Sequence, residues 1–256
     1  MTLGDAREDI ISIGRFTLIA FGITWICWGV RAALATSGAA DVTNTVSQVL
    51  FFVGGFGPTL AAFAVCPAIR TLDGLRSFLF DGSIRSVGWL VALILGILAV
   101  FGLTSAGLNP AISLASVPVV LIAGITVSGG MSEELGWRGI LQPEFERRLP
   151  YPVATLAVGL IWGLWHLPLW FTPGDSHIGF PFPLFVVQAI LLSFWLAGLR
   201  RRNGSVMWCC VLHGCVNTIM SLFVLQLGAP LIAGLVLLTA ASLVMGLSAT
   251  KYAKQN

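Results

Sequence analysis

Charged residues are scarce in this sequence. Asp, Glu, Lys and Arg make up only 10% of the 256 residues, and 57% of the residues are hydrophobic. A soluble globular domain has about 25% charged residues, which help to cover its surface. A soluble chain of this composition could not cover its surface in that way. The composition therefore predicts a polytopic membrane protein.

Other absences narrow the class of protein further. No basic segment is interleaved with aromatic residues, so nucleic acid is not an expected partner. The first ten residues carry Asp5, Arg7, Glu8 and Asp9 rather than a net positive stretch, so the first apolar run is predicted to be an uncleaved span and not a secretory signal. The cysteines lie in apolar segments or at their ends, which favours small buried thiols over a disulfide framework. They are Cys27, Cys66, Cys209, Cys210 and Cys215.

Long apolar runs recur along the whole chain. Runs of about 17–25 residues are typical of membrane helices. We predict eight such spans, at about 16–34, 47–69, 87–106, 115–141, 153–172, 183–199, 205–226 and 228–250. The sequence shows no repeated halves with paired broken helices, as many transporters have, and no low-complexity linker. Residues 1–256 are therefore predicted to form a single membrane domain.

Basic residues are distributed unevenly among the predicted loops. Of the fourteen, Arg31 lies at one side of the membrane, Arg138 lies within a span, and the other twelve fall on the opposite side. The positive-inside rule then puts both termini in the cytoplasm. A chain this compact is typical of a prokaryotic plasma membrane. The twelve are Arg7, Arg15, Arg70, Arg76, Arg85, Arg147, Arg148, Arg200, Arg201, Arg202, Lys251 and Lys254.

Two adjacent glutamates end a long uncharged stretch. Residues 86–132 contain no charge, and Glu133 and Glu134 follow directly. A charge near the bilayer centre costs roughly 2.5–3.5 kcal/mol, so stability does not explain the pair. Glu134 and Arg138 are spaced i, i+4, which predicts a buried ion pair. Glu133 faces about 100° away and has Trp137 at its i+4 position, so it is the candidate general base.

Three other polar side chains lie deep in predicted spans. His166 by itself would more often be a core residue than a catalyst. His213 and Asn217 are spaced i, i+4, and Gly214 beside them allows a neighbouring backbone to come close. Two such groups on one face suit stabilisation of an oxyanion, although hydrogen bonding between helices is the simpler explanation. The third histidine, His177, is predicted to be a solvated loop residue.

This set of residues resembles the CPBP family, also called the Abi or CAAX-protease-like family. Its best-known members are the type II CAAX prenyl endopeptidases. The resemblance covers four spans, and it implies an all-α, eight-span protein with its catalytic core at about 115–226. A glycine-proline stretch in the second predicted span, residues 54–58, is also similar to the family. The matching motifs are Glu133-Glu134-x-x-x-Arg138, aromatic-x-x-x-His at Trp162 to His166, and His213-x-x-x-Asn217.

The resemblance also implies a function. The family consists of glutamate-dependent intramembrane endopeptidases, so the expected substrate is a membrane-embedded or membrane-anchored protein or peptide. By matching motif positions, Glu133 corresponds to the catalytic glutamate, and no cofactor is expected. The other essential positions correspond to His166, His213 and Asn217, and the supporting pair corresponds to Glu134 and Arg138.

Three alternatives stay open at this stage. A divalent metal such as zinc has a plausible ligand set in one of the glutamates, His166 and His213, with Cys209 nearby, but the sequence lacks the His-Glu-x-x-His spacing of many zinc proteases. A non-catalytic scaffold, such as a bacteriocin-immunity protein, is the second alternative. A proton-coupled transporter also uses buried carboxylates and histidines and is the third.

Overall fold

The computed structural model describes residues 3–80 and 87–249. Within these residues it is all-α, with one isolated β-bridge between Leu108 and Phe223. The helices are α1 (Leu3–Thr36), α2 (Thr45–Gly55), α3 (Gly57–Val65), α4 (Leu72–Phe80), α5 (Val87–Thr104), α6 (Val117–Thr126), α7 (Gly130–Gly136), α8 (Gln142–Glu146), α9 (Tyr151–Trp165), α10 (Phe182–Asn203), α11 (Val206–Leu222) and α12 (Ala229–Ser248).

The long apolar helices confirm an all-α polytopic membrane protein. Six stretches among the described residues are long and apolar enough to cross a membrane, and the bent pair α2–α3 makes up to seven. The apolar helix α11, with 17 residues, is shorter than these. Together they follow the eight predicted runs in order, and the number of crossings stays a prediction. The six stretches are Ile13–Thr36, Val87–Thr104, Leu114–Glu146, Tyr151–Phe171, Phe182–Arg202 and Ala229–Ser248.

Two of the predicted spans are interrupted, which the apolar runs in the sequence do not indicate. The second bends by 44° between α2 and α3, where Pro58 occupies the first turn of α3. Proline has no N–H to continue the helix before it. The fourth is interrupted between α6 and α7, where Gly129 has φ +112°. Only glycine adopts such a conformation readily, so the chain leaves the helix there and re-enters it at Gly130.

Glycines bring the helices around the fourth span into close contact. A Cβ on Gly136 of α7 would lie 2.5 Å from the carbonyl oxygen of Pro58 in α3. A Cβ on Gly159 of α9 would lie 2.8 Å from the Cα of Ile190 in α10. Small residues allow this approach between membrane helices. Gly136 and Gly159 therefore let α7 pack closely against α3 and α9 against α10.

Contacts between helix ends follow the predicted orientation. On the predicted cytoplasmic side, Arg201 pairs with Glu146, and Ser205 Oγ donates to the carbonyl oxygen of Leu79 at 2.8 Å. On the other side, Arg31 pairs with Asp175. The orientation itself stays a prediction. Some of the basic residues on which it depends lie outside the described part of the chain, namely Arg85, Lys251, Lys254 and the side chain of Arg7.

The loop histidine differs in part from its prediction. The side chain of His177 is 25% exposed, and its Nδ1 lies 2.6 Å from Oδ1 of Asp175. Its ring also packs edge-on against Trp170 and Phe185. His177 lies in a loop, as predicted, but it is only partly solvated because its ring packs against these two aromatic residues.

Candidate functional site

Both adjacent glutamates are buried in the short helix α7. Helix α7 begins directly after the break at 127–129. At this start the hydroxyl of Ser132 accepts a hydrogen bond from the backbone N–H of Gly129 at 3.0 Å. This contact satisfies one of the backbone donors that every helix start leaves free. Glu134 is fully buried and Glu133 is 7% exposed. The break therefore fixes where the two carboxylates enter the protein interior.

Glu134 joins two cationic or ionisable groups. Its Oε2 lies 3.2 Å from Nε of Arg138, which is the i, i+4 pairing that the sequence predicts. Its Oε1 lies 2.7 Å from Nδ1 of His213 on α11. A carboxylate only accepts hydrogen bonds, so Nδ1 carries the proton in this contact. The contact with His213 joins residues 79 positions apart, and no local spacing could predict it.

Glu133 also has a partner, which the helical spacing does not reveal. The indole Nε1 of Trp162, on α9, donates a hydrogen bond to Oε2 of Glu133. Sequence reasoning had left Glu133 without a helical partner and treated Trp162 only as the aromatic of a motif. A signal was present, because the N–H of a buried tryptophan usually finds an acceptor.

Trp162 contacts four of the predicted site residues. Beyond its hydrogen bond to Glu133, its ring lies beneath the guanidinium of Arg138, with Cζ 4.6 Å from the ring centroid. The edge of its ring meets His213, with centroids 5.2 Å apart. Its backbone carbonyl oxygen lies 2.9 Å from Nδ1 of His166. Trp162 therefore connects the two histidines to the glutamate helix.

His166 lies where α9 ends. Its ring packs against Trp165 and Phe185, at centroid distances of 4.6 and 4.8 Å. Among the described hydrogen bonds, His166 is linked to Glu133 through Trp162 and not directly. The end of α9 is held in place by Trp165, whose Nε1 donates to Thr24 of α1 at 2.8 Å.

His213 and Asn217 lie on one face of α11, as predicted. Nδ2 of Asn217 donates to the carbonyl oxygen of Ser128, in the break between α6 and α7, at 2.9 Å. Gly214 allows this arrangement, because a Cβ on it would lie 2.5 Å from the backbone nitrogen of Ile125. The absence of a side chain at Gly214 therefore lets α11 approach α6 closely, as the sequence indicates.

The ligand set considered for a metal is not assembled in the described residues. No group of three or more His, Cys, Asp or Glu side chains there is arranged to bind a metal ion. Glu134 is already engaged by Arg138 and His213, and Sγ of Cys209 points to the carbonyl oxygen of Leu196 at 3.5 Å. These residues do not fit a metal centre, and the expectation of no cofactor stays a prediction.

The arrangement supports acid–base chemistry at a carbonyl group. Glu133 is a buried carboxylate held by one donor, so it can take a proton from water. Nδ2 of Asn217 lies near Nε2 of His213 at Gly129, and these two nitrogens can both donate to an oxyanion when the His213 ring is doubly protonated. The motif residues lie in α7 and the π-helical turn Trp137–Leu141 after it, in α9 and at its C-terminal end, and in α11, and they converge in the fold. The roles of the individual residues stay predictions.

The comparisons with known proteins show what this chain is similar to. A family model described as "Type II CAAX prenyl endopeptidase Rce1-like" matches residues 113–219, which include every predicted site residue. A CAAX prenyl protease 2 from Methanococcus maripaludis is 24% identical over 193 residues. This match covers 72% of the present chain and 63% of the relative's length. Both findings support the recognition of this chain as a member of the CPBP, or CAAX-protease-like, family of membrane proteins.

Proposed function

We propose that this protein is an intramembrane endopeptidase that cleaves a membrane-embedded or membrane-anchored peptide. The observation that carries the proposal is the position of Glu133. Its buried carboxylate accepts a hydrogen bond from Trp162, and Trp162 also contacts both site histidines. The similarity to CAAX prenyl proteases supports the same reaction class.

In the proposed reaction Glu133 takes a proton from a water molecule. The resulting hydroxide forms a bond to the scissile carbonyl carbon, and the carbonyl oxygen becomes an oxyanion. The C–N bond then breaks, and Glu133 returns the proton to the leaving amine. Glutamate thus serves first as base and then as acid, a role that contributes typically about 100- to 10,000-fold in rate.

The other motif residues have separate roles in this scheme. Asn217 and the Nε2 of His213 donate to the oxyanion, and Glu134 holds the opposite ring nitrogen of His213. A doubly protonated His213 ring can donate from Nε2 while Nδ1 stays bound to Glu134. His166 assists the water near Glu133, and Arg138 supports Glu134 and Trp162.

The test of this proposal is the variant Glu133→Gln. The amide keeps the shape of the side chain and removes its function as a base. Purified wild type should cleave a membrane peptide, and Glu133→Gln should lose at least about 100-fold in rate. A substrate-trapping proteomic comparison of the two proteins in native membranes identifies the substrate. Asp73→Asn, which changes an exposed acid in α4, is the control. Wild-type cleavage by Glu133→Gln would refute the assignment.

One feature of the structure favours an alternative function, that of a proton-coupled transporter. Broken helices such as α2–α3 and α6–α7 also line transport sites. Reconstitution into vesicles separates the two functions, because substrate flux without peptide cleavage would support transport. A non-catalytic scaffold predicts a third result, namely that Glu133→Gln keeps the cellular phenotype of the wild type.

A further inference from the structure

The break between α6 and α7 lies against both groups assigned to the oxyanion. Gly129 has φ +112°, which residues with a side chain rarely adopt. A Cβ built on it would lie 2.6 Å from Nε2 of His213 and 2.7 Å from Nδ2 of Asn217. Both nitrogens therefore approach one point beside the Cα of Gly129.

Each of these nitrogens belongs to a side chain whose orientation is fixed by a hydrogen bond to another part of the protein. Glu134 holds Nδ1 of His213 at 2.7 Å, which turns Nε2 toward Gly129. The carbonyl oxygen of Ser128 takes one amide hydrogen of Asn217 at 2.9 Å and leaves the second hydrogen for another acceptor. Because both nitrogens lie against the same side of Gly129, one substrate oxygen next to them can accept from both when the His213 ring is doubly protonated.

We propose that Gly129 is a positioning residue of this site. Its missing side chain leaves the space in which Nε2 of His213 and Nδ2 of Asn217 pack against the backbone, and from there both nitrogens can donate to one substrate oxygen. The inference rests on the proposed peptidase function, and it goes beyond it by assigning a role to the backbone of the break. Gly129 acts through His213 and Asn217, and an added methyl group displaces at least one of them.

Backbone strain alone would also make Gly129→Ala harmful, so a matched control is needed. Gly107 supplies it, because it has φ +131° and a Cβ there would meet no atom within 4 Å. Gly107 lies between α5 and the 3-10 turn Leu114–Ser116. Gly107→Ala therefore introduces similar backbone strain without touching His213 or Asn217.

The first experiment compares the cleavage kinetics of the two alanine variants. Gly129→Ala should lower kcat by about 100-fold with KM changed less than about threefold, because misplacing catalytic groups by about 1 Å has an effect of this size. Gly107→Ala should keep a kcat close to that of the wild type. If the two variants have the same kcat, strain explains the effect and the inference is wrong.

The second experiment measures the contact without using activity. Thermal unfolding in detergent is compared for the wild type, Gly129→Ala, Asn217→Ala and the double variant. Residues in direct contact give non-additive effects. Gly129→Ala should therefore lower Tm by fewer degrees when Asn217 is already alanine. If Gly129→Ala does not fold alone, the double variant should still be recovered folded.

The outcomes of this unfolding cycle can be distinguished from those of the cleavage test of the proposed function. Equal losses of Tm in both backgrounds, or failure of both to fold, would overturn the role of Gly129. A wild type that never cleaves peptides would instead refute the peptidase proposal. The unfolding cycle is informative in either case, because it measures the contacts of residue 129 and does not depend on peptide cleavage.

Discussion

Two parts of the molecule contain the same three kinds of side chain. In each, one carboxylate contacts an arginine and the Nδ1 of a histidine. The carboxylate-to-histidine distances are nearly equal, at 2.7 Å in the first and 2.6 Å in the second. We call them the site triplet, Arg138–Glu134–His213, and the loop triplet, Arg31–Asp175–His177.

The surroundings of the two triplets differ. The site triplet is almost fully buried between α7 and α11, and a second carboxylate, Glu133, lies next to it. Nε2 of His213 faces Gly129 and Asn217. In the loop triplet, Asp175 and His177 are two residues apart, and the His177 ring packs on aromatic residues. The comparison shows that such a triplet fixes the orientation of its side chains and does not by itself form a reactive site. The proposed chemistry also needs the separate carboxylate and the free ring nitrogen.

The largest expected difference between the triplets is in stability. Glu134→Gln leaves the fully buried guanidinium of Arg138 without its ion-pair partner. Removing one member of a buried pair costs about 3–5 kcal/mol, so the free energy of unfolding in detergent should fall by this amount. Asp175→Asn in the loop triplet should cost less, because His177 in that triplet is 25% exposed whereas both side chains of the Arg138–Glu134 pair are fully buried. Adding Arg138→Met to Glu134→Gln should restore part of the loss. Equal stability of Glu134→Gln and Asp175→Asn would contradict this view of the site triplet.

The two histidines should differ in their effect on cleavage. His213→Ala removes one donor to the proposed oxyanion and should lower kcat by about 100- to 1000-fold. His177→Ala serves as the matched variant in the loop triplet and should leave kcat near the wild-type value. The measurement is peptide cleavage by purified protein in detergent or nanodiscs. A comparable loss in both variants would mean that the triplets do not differ in function.

A smaller effect on kcat is expected from the hydrogen bond between Trp162 and Glu133, which lies next to the site triplet. Trp162→Phe keeps an aromatic ring next to Arg138 and His213 but removes the N–H that reaches Glu133. A hydrogen bond to a charged group is worth about 1.5–3 kcal/mol, so kcat should fall by about 10- to 100-fold. Trp195→Phe is the control, because it removes an indole hydrogen bond to Thr239 that joins α10 and α12 and does not involve Glu133. Equal rates for the two variants would exclude a role for the Trp162 N–H.

The smallest effect concerns the acid dependence of the loop triplet. Burial by itself would raise the pKa of Asp175, but hydrogen bonds from His177 and Arg31 outweigh it and lower the pKa from 3.8 to about 2. A lowered pKa stabilises the fold above the unfolded value, and this contribution is lost as the pH falls from about 4 to about 2. Its size is on the order of 1 kcal/mol.

Thermal unfolding at several pH values tests this contribution. Between about pH 5 and pH 2.5, the Tm of the wild type should fall further than that of Asp175→Asn, because the asparagine variant has no carboxylate to protonate. Parallel pH profiles for the two proteins would show that the loop triplet does not stabilise the fold in this way.

The sequence predicted those features of the site that depend on local spacing. The i, i+4 rule placed Glu134 beside Arg138, and it put His213 and Asn217 on one face of α11. The same rule failed for Glu133, whose partner Trp162 lies 29 residues away. It also missed the bond between Glu134 and His213. Contacts between distant helices depend on how the helices cross, and the spacing of residues along one helix carries no information about that.

The backbone at Gly129 shows the same limit. Two successive glycines at 129 and 130 are visible in the sequence, yet they are compatible with a continuous apolar helix, and the fourth span was predicted without a break. The structure shows a positive φ at Gly129, with the two donor nitrogens beside it. Only the packing of α11 against α6, through Gly214, reveals why a side chain is not accommodated there.

The sequence by itself determined that this is an all-α membrane protein and which polar residues are out of place in it. Composition and apolar run length decide the first point, because a bilayer accepts little charge. Rare polar side chains in those runs decide the second. Only the tertiary structure decided that Glu133 is held by Trp162, that Glu134 is shared between Arg138 and His213, and that the break at 127–129 belongs to the site. These contacts form between helices, and their geometry depends on where glycines and prolines let the helices bend and approach.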